Sequence, residues 1–280
     1  MKHIHLIGRT ILLGLALVAG SWPVVAAEPT HELPEELMFH GQPIEPDCMD
    51  FATKMDSSSF DPVDLATCKA GDIVPDTPPS WNQHGEYGYS HKYNDTSLKK
   101  PYYIYYRFLG YMEGLPVVLI RAGGGGSGKF DFIIRIERKA DTLRLIDPLV
   151  IGDRCNGGIS KARVENGALS YEQEITPFDF LTLADDNPHD LKAYKSLEAS
   201  AASCFGTARY AADKLVSVRL KPDAADEKGW TEQYRYQRCF NRLYREYIVQ
   251  GKNELSPALL KEFTHVFNKQ CVEAPDSGMR

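Results

Sequence analysis

No stretch of this 280-residue chain stays apolar for the ~20 residues that a membrane-spanning helix needs; the longest apolar run, Thr10 to Gly20, is followed at once by Ser21 and Pro23. Nor is there an excess of basic residues. Against 38 Asp and Glu stand 32 Lys and Arg, a formal charge of −6, and a nucleic-acid partner would need the opposite balance to neutralise its phosphates. No pair of cysteines is spaced C-x-x-C, so a thioredoxin-like redox motif and a zinc ribbon both lack their ligands. G-x-S-x-G, H-E-x-x-H and a paired-carboxylate motif are missing as well. Nothing in the chain calls for a cofactor.

Glycine, by contrast, is concentrated. Gly123-Gly124-Gly125-Gly126-Ser127-Gly128-Lys129 comes close to the phosphate-binding pattern G-x-x-x-x-G-K-[ST], but Phe130 stands where a hydroxyl must reach Mg²⁺. Such a loop must also open a helix whose first amides hold phosphate. Here Phe130, Phe132, Ile134 and Ile136 alternate with Asp131, Ile133, Arg135 and Glu137, the period of a strand. The run therefore reads as a flexible loop of an antiparallel hairpin and is a candidate binding loop.

Lys2 and Arg9, the apolar run after them and the compact residues Val25 and Ala27 have the layout of a secretory signal cut after Ala27. Losing Lys2 and Arg9 would take the formal charge from −6 to −8. The product is expected to be periplasmic or secreted, with no stable membrane insertion. All six cysteines lie beyond the cut, and an even number in an exported chain favours three disulfides. Cys239 and Cys271 flank a helical hairpin at similar distances from its turn at Gly251-Lys252-Asn253 and are expected to pair. Cys155 with Cys204 and Cys48 with Cys68 complete the set.

Residues 28–80 are rich in proline and read as an extended, irregular segment with short helices, one opening at Asp61-Pro62-Val63-Asp64. From 81 to 175 the chain reads as an antiparallel sheet, a meander of strands 102–111, 116–122, 130–138 and 143–151 followed by a hairpin. Tyr102, Ile104, Tyr106 and Phe108 take one face of the first of these strands, and Tyr103, Tyr105, Arg107 and Leu109 the other. Asn166-Gly167 is the strongest turn signal, and a two-residue loop there sets Val164 opposite Leu169, Ala162 opposite Tyr171 and Lys161 opposite Glu172. Residues 176–280 read as mainly helical, with a short helix capped by Thr176, a longer one from Asp190 to Cys204, one last strand at Val216 to Leu220, and the closing hairpin. The fold class is α+β, with an antiparallel sheet packed by C-terminal helices and 28–280 as one domain.

Two functions fit. The first is a non-enzymatic exported binding protein, of the inhibitor or immunity type, whose partner is a protein or another cell-envelope component. The alternative is a hydrolase of envelope polymers that would use His84 or His91 with Glu86, Asp95 or Asp153. Those groups fit no established metal spacing, and a strand from Glu86 to Tyr93 would turn Glu86 and His91 to opposite faces.

Overall fold

The computed structural model describes residues 33–49, 62–68, 78–91, 102–124, 127–184, 189–226 and 233–273, all within one compact unit, Leu33–Arg280. Its architecture is α+β and mostly antiparallel strand. Two sheets carry it, one of seven strands and one of five.

The seven-stranded sheet runs in the order β3 (Val63–Asp64), β9 (Thr142–Asp153), β8 (Phe130–Lys139), β7 (Leu115–Gly124), β6 (Tyr102–Met112), β5 (Tyr87–His91) and β4 (Ser80–Trp81). Period-two alternation gives its central strands two different faces. Ile104, Tyr106, Val118, Ile120, Phe132 and Ile134 point to one side and pack against Leu37, Ile44, Met49 and Leu65 of the N-terminal segment. That segment contributes a small hairpin, β1 (Met38–Phe39) with β2 (Gln42–Pro43), and one helical turn, α1 (Pro46–Met49). Cys48–Cys68 ties it down. Tyr106 is fully buried, and its hydroxyl donates to the Ile44 carbonyl at 2.7 Å, so the polar end of the ring is satisfied where water cannot reach it.

The second sheet comprises β10 (Ile159–Glu165), β11 (Ala168–Ile175), β12 (Gly206–Ala211), β13 (Lys214–Leu220) and β14 (Glu254–Leu255), in that order. One face carries Ile175, Ala208, Val218, Leu220 and Leu255 into a core shared with α2 (Pro177–Thr182), α3 (Gln237–Val249) and α4 (Pro257–Phe267). Phe180, Phe240, Tyr244 and Phe263 meet there, edge-on or tilted except for the stacked pair Phe240 and Tyr244, with neighbouring centroids 5.4–6.0 Å apart. Each fully buried ring contributes about 2–3 kcal/mol. Tyr244 also accepts from the Lys221 amide at 2.7 Å and donates to the Phe205 carbonyl, which fastens α3 to the sheet. Thr176 caps α2 in a reciprocal box with Asp179, and Ser256 caps α4. Cys239–Cys271 joins the start of α3 to the turn that follows α4.

The two sheets meet where β10 crosses β6. Leu109, Val117, Leu119 and Ile133 of the first sheet pack with Ile159, Ala162 and Leu169 of the second. Cys155–Cys204 adds a covalent tie beside this seam. The three disulfides leave no free cysteine and mark a protein of the oxidising, extracellular type. Among the described residues, no helix is long and apolar enough to cross a membrane.

Several segments depart from the sequence reading. Residues 190–204 form turns and an isolated bridge, Ala193 to Leu197, in place of a helix. Serine and glutamate side chains explain this, because they take up the amides a helix would need: Lys192 N–H goes to Ser196 Oγ, Ala202 N–H to Ser200 Oγ and Ser200 N–H to Glu198 Oε1. The strand expected at Val216 to Leu220 is part of β13, but β12 and β14 also lie among residues 176–280, where the sequence reading has only helices beside it. Val63 and Asp64 form a short strand on β9 rather than the first turn of a helix. In the Asn166-Gly167 hairpin, Val164 does face Leu169. Arg163 then faces Ser170 in the same register, and a bulge between Arg163 and Ser160 puts Ser160 in place of Lys161 opposite Glu172.

A candidate binding face on the seven-stranded sheet

The side of the seven-stranded sheet turned away from the N-terminal core is apolar only where β10 covers it. Beyond β10 it is aromatic and charged. Register puts Tyr105 opposite both Gly88 and Arg121, Tyr103 opposite Gly123, and Arg121 opposite Asp131. Alternation then sets Tyr103, Tyr105 and Arg107 of β6, Arg121 of β7 and Asp131 of β8 on one face, with Glu86 at the foot of β5. The two glycines make room for the two rings. A Cβ on Gly123 would stand 2.4 Å from Cε1 of Tyr103, and one on Gly88 would stand 2.0 Å from the Ile104 carbonyl oxygen and 2.8 Å from Cδ1 of Tyr105. Each ring takes up space beside a glycine of the neighbouring strand, a pairing that covers the glycine backbone.

The charges are matched within the cluster. Arg121 Nε lies 2.8 Å from Glu86 Oε1 and 3.8 Å from Asp131 Oδ1. Its N–H does not align with either oxygen, so these are ion contacts rather than linear hydrogen bonds. Asn82 holds the other side of Glu86, donating Nδ2 to Oε2 at 3.0 Å and accepting the Glu86 amide at 3.1 Å. The arginines also reach across to β10: Arg121 Nη2 donates to the Ile159 carbonyl at 3.2 Å and Arg107 Nη2 to that of Ala162 at 3.1 Å. Asp131 Oδ2 accepts the Ile159 amide at 2.8 Å. The exposed backbone edge of β10 is thereby closed by side chains from the other sheet.

Burial is the largest influence on the titration of Asp131, Tyr103 and Arg107. It pushes the Asp131 carboxyl upward, against the opposing pull of Arg121 and of the Ile159 N–H, while the nearby charges of Glu86 and Asp153 push the same way as burial. Tyr103 is raised by burial and then by Asp131, and lowered by Arg121. Burial lowers Arg107, whose Nε is buried without a hydrogen-bond partner.

The glycine run leaves this face between Ala122 and Phe130, two paired residues of β7 and β8. Five other hairpins turn on two residues each: His40-Gly41, Glu113-Gly114, Ala140-Asp141, Asn166-Gly167 and Ala212-Asp213. The glycine run spends seven. Gly125 and Gly126 lie outside the described residues; Gly123 is buried under Tyr103, while Ser127 and Lys129 are exposed. The far foot is held by β9, with Lys129 N–H donating to Asp153 Oδ1 at 2.8 Å and Arg154 N–H to the Lys129 carbonyl at 3.2 Å. Cys155–Cys204 follows directly.

Of the residues singled out as catalytic candidates, Glu86 joins this cluster through Arg121, and Asp153 ends β9 opposite Phe130. His84 is exposed in the 82–85 turn, its amide bonded to Asn82 Oδ1 and its ring Nε2 3.3 Å from Gln83 Nε2. His91 ends β5 opposite Tyr102, and Asp95 lies outside the described residues. The sequence reading passed over Tyr103, Arg107, Arg121 and Asp131 as functional groups. The available signal was charge placed at strand positions: Arg107, Arg121 and Asp131 interrupt runs that are otherwise aromatic or aliphatic. Among the described residues, no three His, Cys, Asp or Glu side chains are arranged to hold a metal ion. The chain matches no protein-family model, no curated protein and no solved structure.

Proposed function

We propose that this is an exported, non-enzymatic binding protein of the inhibitor or immunity type, and that it engages a protein or other envelope component through Tyr103, Tyr105 and Arg121, with the glycine run beside them. The supporting observation is the pair of half-buried tyrosine rings seated on Gly123 and Gly88. Tyrosines already held in place lose little conformational freedom on binding and offer both apolar area and a hydroxyl, the qualities that make them frequent anchors of interfaces. Arg121, with about a third of its side chain exposed, supplies a charged neighbour already oriented by Glu86. The covalent tie at Cys155–Cys204 limits movement of the loop's far foot, which lowers the ordering penalty further.

The hydrolase alternative draws on the approach of Glu86, Asp131 and Asp153 to Tyr103. Its weakness is that every one of those carboxylates is already engaged: Glu86 by Arg121 and Asn82, Asp131 by Ile159 and Arg121, Asp153 by Lys129 and Arg154. The test compares residues 28–280 of the wild type with Tyr105→Ala and Arg121→Ala, each checked for an unchanged near-ultraviolet spectrum, in capture of a partner from envelope extract. The partner is then purified and titrated. Loss of affinity of at least about tenfold in both variants is expected, which is about 1.4 kcal/mol each. Equal affinity for all three proteins, or release of soluble fragments when the wild type is incubated with purified envelope polymer, would overturn the reading.

A further inference from the structure

The solvent face of the second sheet carries a cavity of about 270 Å³, lined among others by Lys161, Arg163, Ser170, Glu172, Arg209 and Val216. It lies between two interruptions of regular pairing. On one side, β10 bulges between Ser160 and Arg163, with Lys161 in the left-handed region at φ 51°. On the other, β12 and β13 shift register between Arg209 and Tyr210, so that Val216 has no partner in the ladder and remains partly exposed. Bulges bend a strand and re-aim a side chain, and a non-glycine residue at positive φ is strained. Both distortions border the same hollow.

Its charge is opposite to that of the chain. Lys161, Arg163 and Arg209 line it against one carboxylate, Glu172, in a protein whose formal charge is −6. Glu172 is largely covered and already neutralised from two sides, by Lys161 at 3.0 Å and Arg219 at 3.2 Å. Arg209 stands opposite Glu172 in register, yet among the described residues its ion contact is with Glu254, at 3.8 Å. Arg163 pairs with Glu165 at 2.8 Å, with more than half of each side chain exposed. Exposed pairs of this kind hold their partners weakly and exchange readily. Two guanidinium groups, each able to grip an oxyanion through two parallel N–H bonds, thus border a hollow with a lysine and the Ser170 hydroxyl beside them.

We propose that this cavity is a binding site for a small oxyanion-bearing ligand, about one saccharide unit in size, whose phosphate or carboxylate group is held by Arg163 and Arg209 with help from Lys161. The volume exceeds what an oxyanion alone requires, and the unpaired Val216 gives the remainder an apolar wall. The site is on a different sheet from the tyrosine face, so it stands or falls separately from the proposed function. The experiment is a titration of ¹⁵N-labelled residues 28–280 with glucose 1-phosphate, glucuronate and, as the neutral control, glucose. Amides of Lys161, Ser170 and Arg209 should shift with one or both anions at millimolar concentration and not with glucose, and which anion acts distinguishes phosphate from carboxylate recognition. Arg209→Gln should weaken the response about tenfold or more, and Tyr105→Ala should leave it unchanged. Shifts with glucose alone, shifts elsewhere in the chain, no shifts, or equal binding by Arg209→Gln would each overturn the site.

Discussion

Asp131 carries its charge in a place where burial opposes it, and the sign of that opposition makes a measurable prediction. Its carboxyl titrates above the ordinary aspartate range because desolvation outweighs Arg121 and the Ile159 amide. A folded-state pKa above the unfolded value of about 3.9 means that the native state binds the proton more tightly. The contribution of Asp131 to stability is therefore fully present below the unfolded value and lost as pH rises through the raised one. The stability difference between wild type and Asp131→Asn, measured by urea denaturation, should shift in favour of wild type as pH falls from 7 toward 4. A difference that is flat or shifts the other way would contradict the assigned burial. Glycine positions give a second residue-scale test. A Cβ on Gly152 would fall 1.9 Å from the Gly157 carbonyl oxygen, backbone against backbone, whereas the nearest atoms to one on Gly123 belong to the side chain of Tyr103. Gly152→Ala should destabilise by about 3 kcal/mol or more, and Gly123→Ala by clearly less, since a side chain can yield where a backbone cannot. Thermal melting of the two variants side by side decides it.

The helical hairpin of α3 and α4 shows how an element can be tied at one end by chemistry and along its length by packing. Tyr236, Phe240 and Tyr247 of its first arm meet Phe263 and Phe267 of the second through ring contacts of 5.1–6.3 Å. Cys239–Cys271 spans a sequence separation of 32 residues, for which the chain-entropy model gives about 4 kcal/mol. Replacing both cysteines with Ala should lower the denaturation midpoint by an amount of that order while the near-ultraviolet signature of the packed rings survives in dilute buffer. Loss of that signature would mean that the bridge, rather than the rings, holds the arms together. The hairpins of the sheets were less evenly legible. Asn166-Gly167 announces its turn in the residues, because both tolerate positive φ. Ala212-Asp213 turns just as tightly at φ 47° and 59°, with no such announcement; it is compelled by the ladder between β12 and β13 and by the core beneath Ala208 and Val218.

At the scale of the molecule, two sheets are joined by β10 and clamped by three disulfides that divide the work. Cys48–Cys68 holds the N-terminal cover on the first sheet, Cys239–Cys271 ties the two arms of the C-terminal helical hairpin to each other, and Cys155–Cys204 stands beside the seam. Export follows from the signal-like opening as a proposal for residues outside the described structure. N-terminal sequencing of the protein recovered from the periplasm should start at Glu28, and a cytoplasmic product retaining Met1 would contradict it.

The residues by themselves determined the strands of the first sheet, because aromatic and β-branched side chains alternating with period two have only one way to bury a face. They determined as well that a strand and not a helix follows the glycine run, since the strand pattern resumes at Phe130. Short-range signals also marked the capped helix at Thr176 and the paired arms of the C-terminal hairpin. Tertiary structure alone decided that the chain forms two sheets, because strand pairing between β11 and β12 joins residues separated by the whole irregular segment 190–204, and no local pattern records such a partner. It alone decided the bulge at Lys161, where packing of Ala162 and Ile159 against the first sheet overrides the register that the turn would set. The meeting of Glu86, Tyr103, Arg121 and Asp131 was likewise invisible in sequence. It arises from the lateral register of four strands, which is fixed by the burial of their opposite face and not by the charged residues themselves.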